Sequence, residues 1–162
     1  VQKYKWRIGI GFDSHSFTKN RKLILGGVEI PFDKGLLGHS DADLLSHSIA
    51  DAILGACGLK DIGNYFPDTD PKYKDISSLK ILAQVMKMSK AKGYKVINID
   101  SILICQHPKI SPYVDKMKNS LSKTLKVSPD CIGIKAKTTE ALGFAQVKSG
   151  IACYAVALLT KS

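Results

Sequence analysis

An alternation of apolar and polar positions opens the chain. Trp6, Ile8 and Ile10, separated by Arg7 and Gly9, predict a strand with one buried face. It runs into "GFDSHSF", residues 11–17, where Asp13 and His15 stand two positions apart. Side chains two apart on a strand point the same way, so a carboxylate and an imidazole converge on one small target. "KLILGGVEI", residues 22–30, predicts a second strand ending at Pro31, and the glycines of "DKGLLGHSDAD" break regular structure after it. The period then changes. Apolar residues at 44, 45, 49, 52, 53 and 56 have helical spacing, with Ser40 or Asp41 as the cap and Gly58 as the stop.

"KDIGNYFPDTDPKYKD", rich in Gly, Pro and Asp, predicts a loop of 16 residues, long enough to be functional or mobile. A helix follows over 77–93 with Gly93 as its stop, then a strand in "KVINIDSILIC". "SPYVDKMKNSLSKTLKV" predicts a helix with Ser111 as cap and Pro112 in its first turn. "CIGIKAK" is a further strand, "TTEALG" a short capped turn, and "IACYAVALL" is apolar on both faces. That last pattern suits a central strand, or one covered on both sides, including by another subunit. The order implies an α+β fold: a mixed sheet with helices packed on one face, in a single domain over 1–162.

Composition narrows the class. No apolar run approaches the roughly 20 residues of a membrane span, and "VQKYKWRIGI" has neither a signal-peptide core nor a transit-peptide composition. The expected location is a bacterial cytoplasm, or a plastid stroma had a transit peptide been trimmed. Cys57, Cys105, Cys131 and Cys153 lie far apart among apolar neighbours, which suits free thiols in a reducing compartment and argues against sulfur ligation of a metal. The net charge of +10 invites a nucleic-acid reading, but its distribution opposes it. Between Asp13 and Asp70 nine acidic residues face five basic ones, a net of −4, which leaves +14 elsewhere. An acidic district in a basic shell suits a small polyanion held through metal ions.

The chemistry concentrates in that district. Asp43, His47 and Asp51 recur at i, i+4 and i+8 and form one polar stripe on the first helix. Catalytic zinc takes three protein ligands and keeps an open position; Asp13, His15 and His47 supply that number. Asp51 or a backbone carbonyl would orient an imidazole from behind, with Asp43 on the same stripe. "FPDTD" begins like a calcium loop but lacks the later Gly and Glu; Asp61 or Asp68 instead suits substrate hydroxyls. "KTTE", residues 137–140, joins a lysine and two hydroxyls at a helix start suited to phosphate, where Glu140 would hold a phosphate-bridging Mg²⁺.

"GFDSH", "GHSDAD", "DIGNYFPDTD", "KTTEALGF" and "GIAC", in this order across nearly the whole chain, closely resemble the 2-C-methyl-D-erythritol 2,4-cyclodiphosphate synthase family of the non-mevalonate isoprenoid pathway. The resemblance implies a homotrimer with active sites between subunits, no nucleic-acid or membrane partner, and a CDP-linked small-molecule substrate. It places Zn²⁺, or another divalent metal, at Asp13, His15 and His47, and Mg²⁺ or Mn²⁺ with the diphosphate at Glu140. His39 and Thr138 are the implied catalytic residues, Thr138 steadying the transferred phosphate. Ser40, Asp61, Ile62, Gly63, Phe66 and Asp68 are implied on the methylerythritol side. Cys105, Pro108, Lys109 and Ile110 fall in "CQHPKIS", which resembles the cytosine pocket, and Lys137, Thr139 and Phe144 complete the implied contacts. The chain departs from the family at Ala42, where glycine is frequent, at Lys137, where a threonine is, and at Val147 and Lys148, where an arginine on the trimer axis is common.

On the residues alone two other classes stay open. A metal-dependent phosphohydrolase, with metal-bound water attacking, would use the same ligands. A basic RNA-binding module with a structural metal is opposed by the absence of an aromatic single-strand platform.

Overall fold

A computed structural model describes residues 5–138 and 149–162. Among the described residues seven strands are formed: β1 (Trp6–Thr18), β2 (Leu23–Leu25), β3 (Val28–Ile30), β4 (Gly35–Leu36), β5 (Tyr94–Ile104), β6 (Ile132–Lys137) and β7 (Gly150–Lys161). Four α-helices accompany them in the described residues: α1 (Leu44–Ala56), α2 (Ile62–Tyr65), α3 (Ser78–Ala91) and α4 (Val114–Leu125). The main sheet has the order β4-β1-β7-β5-β6, and only the β5–β6 pair is parallel. This is the expected single-domain α+β fold with a mixed sheet. The strand predicted over 151–159 is central, between β1 and β5.

The packing of α1 reverses one expectation. On β1 the face turned toward α1 carries Gly9 and Gly11, while Trp6, Ile8 and Ile10 face outward and are 54%, 70% and 68% exposed in the single chain. The helix lies so near the strand that a Cβ on Gly9 would stand 2.1 Å from the Ala52 carbonyl oxygen, and one on Gly11 2.0 Å from that of Ser48. No side chain fits there, so the glycines, not the isoleucines, mark the buried side. Ala155 and Ala157 of β7 lie opposite Gly11 and Gly9 and keep that seat shallow. Alternation alone reports that a strand has two unlike faces; it does not say which one the chain itself covers.

Other predicted boundaries shift for local reasons. Residues 22–30 form a hairpin, β2–β3, turning at Gly26 and Gly27, whose φ values of +56° and +72° suit glycine. α1 is capped by Asp43 rather than by Ser40 or Asp41, the Asp43 carboxylate accepting from the Ser46 backbone N–H. Ser111 does not cap α4; it begins a 3₁₀ turn, Ser111–Tyr113, that leads into it. The long loop is partly ordered by α2 and a second 3₁₀ turn, Pro71–Tyr73. Ala42 has φ +56° and is fully buried, so that position, where the family often has glycine, is a left-handed turn. The turn predicted in "TTEALG", together with Val147 and Lys148, lies outside the described residues.

The seat of α1 gives a direct test. Gly11→Ala should cost about 3 kcal/mol or more, because backbone on both sides must move. Gly55→Ala, on the same helix with its nearest neighbour at 3.8 Å, should be neutral or stabilise by up to about 1 kcal/mol. Thermal unfolding of the two variants measures the contrast; equal melting temperatures would contradict this packing.

Candidate metal centre and substrate cavities

Because α1 rests on β1, His47 comes down over Asp13. The Asp13 Oδ2 atom lies 3.0 Å from His47 Nδ1 and 3.0 Å from His15 Nε2, so one carboxylate oxygen serves two imidazoles. Donor atoms of the three residues all fall within 4.8 Å of one another. His15 Nε2 is buried and, despite that proximity, makes no hydrogen bond in line with a described residue. A buried nitrogen left in this state, beside a carboxylate and a second imidazole, is what a divalent cation completes, and the N and O donors suit zinc and its neighbours.

Electrostatics fit the same picture. Burial alone would raise the Asp13 carboxyl, but the close approach and charge of the His15 and His47 imidazoles outweigh it and hold the group well below the ordinary carboxylate range. Burial would lower His47, yet the Asp13 contact and charge, with added charge from Asp43 and Asp41, raise it above its usual 6.5. In the metal-free protein Asp13 thus contributes stability above its unfolded value, lost as pH falls through its depressed one. His47 contributes below its unfolded value, lost as pH rises through its raised one.

His15 and His47 of the centre line a cavity of about 280 Å³. His15, His39, Ser40, His47, Ile62, Gly63, Phe66 and Asp68 line it, all anticipated in the sequence, together with Leu37, Gly38, Tyr73 and Ile81. The wall at 38–40 is fixed by Arg21, whose guanidinium donates to the Gly38 carbonyl at 2.7 Å and to that of Ser40. His39 Nε2 lies 3.2 Å from the Asp70 carbonyl oxygen. Phe66 and Tyr73 meet edge to face, with ring centroids 5.4 Å apart.

A second cavity, about 360 Å³, is lined by Cys105, Pro108, Lys109, Ile110, Lys137 and Thr138 with their neighbours. Asp13 and Leu103 both pair with Cys153 of β7, so the two cavities occupy one end of the sheet on opposite sides of that strand. Burial pushes the Cys105 and Cys153 thiols up to about 11 and about 12, so both stay protonated.

Not every anticipated residue joins these groups. Asp43 is fully buried and accepts from the backbone N–H groups of Gly26 and Gly27 at 2.8 and 2.7 Å and from Ser46; it ties the hairpin to α1 instead of orienting an imidazole. Asp51 accepts from the Ile62 N–H at 2.7 Å and thereby anchors α2. Asp61 is exposed, caps α2 and binds Asn64, outside the first cavity's lining. Thr139, Glu140 and Phe144 lie outside the described residues. Behind His47 stands a residue the sequence did not signal: Ser78 Oγ, 2.8 Å from His47 Nε2 and bonded to Asp41. Its separation of 31 positions from His47 leaves no local pattern to detect.

The family model described as "YgbB family" matches residues 6–160. This chain belongs to the YgbB family. Among relatives, the 2-C-methyl-D-erythritol 2,4-cyclodiphosphate synthase of Caldicellulosiruptor bescii is 57% identical over 154 residues, 95% of this chain and 98% of that one. A solved structure of a 2C-methyl-D-erythritol-2,4-cyclodiphosphate synthase in a CDP-bound form has a TM-score of 0.86 at 40% identity, over 94% of this chain and 99% of that one. The bifunctional IspDF of Campylobacter jejuni gives a TM-score of 0.93 at 41% identity; 99% of this chain is covered, and it spans 43% of that longer one. Among the described residues of this YgbB-family chain, no helix is long and apolar enough to cross a membrane.

Replacement of Asp13 by Asn should lower the His47 pKa in the metal-free protein, because burial then acts with less opposition. An NMR titration of the His47 ring measures it, and an unchanged value would contradict the assigned coupling.

Proposed function

We propose that the chain cyclises 4-diphosphocytidyl-2-C-methyl-D-erythritol 2-phosphate to 2-C-methyl-D-erythritol 2,4-cyclodiphosphate with release of CMP, a step of isoprenoid precursor synthesis by the non-mevalonate route. The observation that carries this is the Asp13, His15 and His47 cluster at the wall of a cavity built from the residues around it, in a chain so similar to enzymes of that name. An oxygen of the 2-phosphate attacks the β-phosphorus while the bond from that phosphorus to the CMP oxygen breaks. The activity is thus that of a phosphorus–oxygen lyase. A phosphate monoester is already anionic near neutral pH, so no side chain has to take a proton from the nucleophile. Positioning and charge neutralisation remain, and tethered attack alone reaches effective molarities of about 10⁵ M or more in well-oriented cases.

Asp13, His15 and His47 would hold a divalent ion, zinc by preference, and by the family resemblance Glu140 would serve Mg²⁺ or Mn²⁺ with the diphosphate. Such ions supply positive charge to the phosphate oxygens. Of the chain's own groups, His39 and Thr138 steady the reacting phosphates from the two cavities. Ser40, Ile62, Gly63, Phe66 and Asp68 enclose the methylerythritol part, with Asp61 at its edge. Cys105, Pro108, Lys109 and Ile110 hold the cytosine largely through backbone, and the family resemblance makes Lys137, Thr139 and Phe144 further substrate contacts.

The assembly is a homotrimer. Its support is the outer sheet face, where Phe12, Tyr154 and Ile102 lie side by side across β1, β7 and β5 next to Ile8 and Ile10, all exposed in the single chain. A contiguous apolar face of this kind marks an interface. The active sites then form between copies, the first cavity of one facing the second cavity of its neighbour. The single domain works in the cytoplasm, where its four free cysteines remain reduced.

Turnover in ¹⁸O-labelled water with Zn²⁺ and Mg²⁺ should give the cyclic diphosphate and CMP, both without label, by mass spectrometry. Label in either product would make water the nucleophile and replace cyclisation by hydrolysis.

A further inference from the structure

We propose that Ser78 and Asp41 are positioning residues for the metal centre: together they present a fixed acceptor to His47 Nε2–H and so keep the Nδ1 lone pair turned toward Asp13. This rests on the metal-site reading above and deepens it. His47 Nδ1 faces Asp13 Oδ2 at 3.0 Å, while its other nitrogen, Nε2, lies 2.8 Å from Ser78 Oγ. Ligation through Nδ1 requires the proton to sit on Nε2, where it needs an acceptor. A serine hydroxyl can donate or accept, so by itself it selects neither tautomer.

Asp41 removes that freedom. Its carboxylate, an acceptor only, receives the Ser78 hydroxyl on Oδ1 and the Ser78 backbone N–H on Oδ2 at 3.0 Å. With its proton committed to Asp41, the hydroxyl offers Nε2 only lone pairs. Ser78 is buried at the first position of α3, and the Asp41 N–H donates to the Ile76 carbonyl at 3.1 Å, so both partners are held by backbone. The nearest alternative acceptor, Ser40 Oγ, is farther away, 3.3 Å from Nε2. Three carboxylates of the acidic district thereby separate by role: Asp13 faces the ion, Asp41 orients its histidine, and Asp43 ties the hairpin to α1.

Zinc titration of the metal-free protein by calorimetry, with NMR observation of the His47 Nε2–H proton in the zinc-loaded protein, tests this. Ser78→Ala should weaken zinc binding about 10- to 100-fold, the usual effect of losing such an outer contact, and Ser78→Thr, which keeps the hydroxyl, should bind as the parent does. Asp41→Asn should also weaken it about tenfold or more. Its amide oxygen accepts the Ser78 N–H, its NH₂ donates to Oγ, and the hydroxyl proton then turns toward Nε2. In the zinc-loaded parent the Nε2–H signal should be protected from solvent exchange, and in Ser78→Ala that protection should fall. Zinc affinity within twofold of the parent for both Ser78→Ala and Asp41→Asn, or an unprotected Nε2–H in the parent, would overturn the proposal. If Ser78→Ala does not fold, Asp41→Asn against Ser78→Thr decides in the same terms. Asp13→Ala separates the two claims: zinc binding unchanged in that variant overturns the metal site itself, whereas its loss alongside unaffected Ser78→Ala and Asp41→Asn overturns the positioning role alone.

Discussion

The close contact between α1 and β1 is the constraint on which the rest of the molecule depends. Two glycines on one face of a 13-residue strand leave room for a helix backbone where side chains would ordinarily stand. The strand's pleat then does two things at once. Continued two and four residues past Gly11, the same face carries Asp13 and His15 into the edge of the helix, where His47 meets them. The opposite face carries Trp6, Ile8, Ile10 and Phe12 away from the chain's own core. Site and outer apolar surface are thus consequences of one alternation.

Around that contact the acidic residues divide the labour by burial. Asp13, shared between two imidazoles, keeps its charge because the histidines outweigh the cost of burying it. Asp43, deeper still, is satisfied by backbone N–H groups and the Ser46 hydroxyl and joins three elements into one rigid corner. Asp51 performs the same service for α2. Arg21, one of the few cations of the district, lies against the carbonyls of the 38–40 loop and so shapes the cavity wall that carries His39 and Ser40. A buried charge or backbone group left without such a partner would be costly, which is why these contacts recur at every turn of the site.

How much of this was legible in the sequence follows from the range of each interaction. The parity of Asp13 and His15 and the four-residue step from Asp43 to His47 are local periodicities, and they pointed to the metal-binding cluster; most of the first cavity's lining was anticipated only through the family resemblance. The order and type of the larger elements followed from the same periodicities. What failed was nonlocal. That Trp6, Ile8 and Ile10 would be the buried side could not be corrected from alternation, since the deciding contact is with Ala52 and Ser48 some 40 residues on. The hairpin within 22–30 was hidden because Gly26 and Gly27 sit inside an otherwise apolar run. Asp43 looked like a partner of His47 on the helix surface, but its side chain turns back to cap the helix and meets the hairpin. Ser78 acts through space alone.

The most direct measurement of the central claim is anomalous diffraction at the zinc absorption edge from crystals grown with Zn²⁺. The account predicts one strong anomalous peak per chain, bounded by Asp13, His15 and His47, that vanishes in Asp13→Ala. No peak there, or a stronger one elsewhere that survives the substitution, would contradict it.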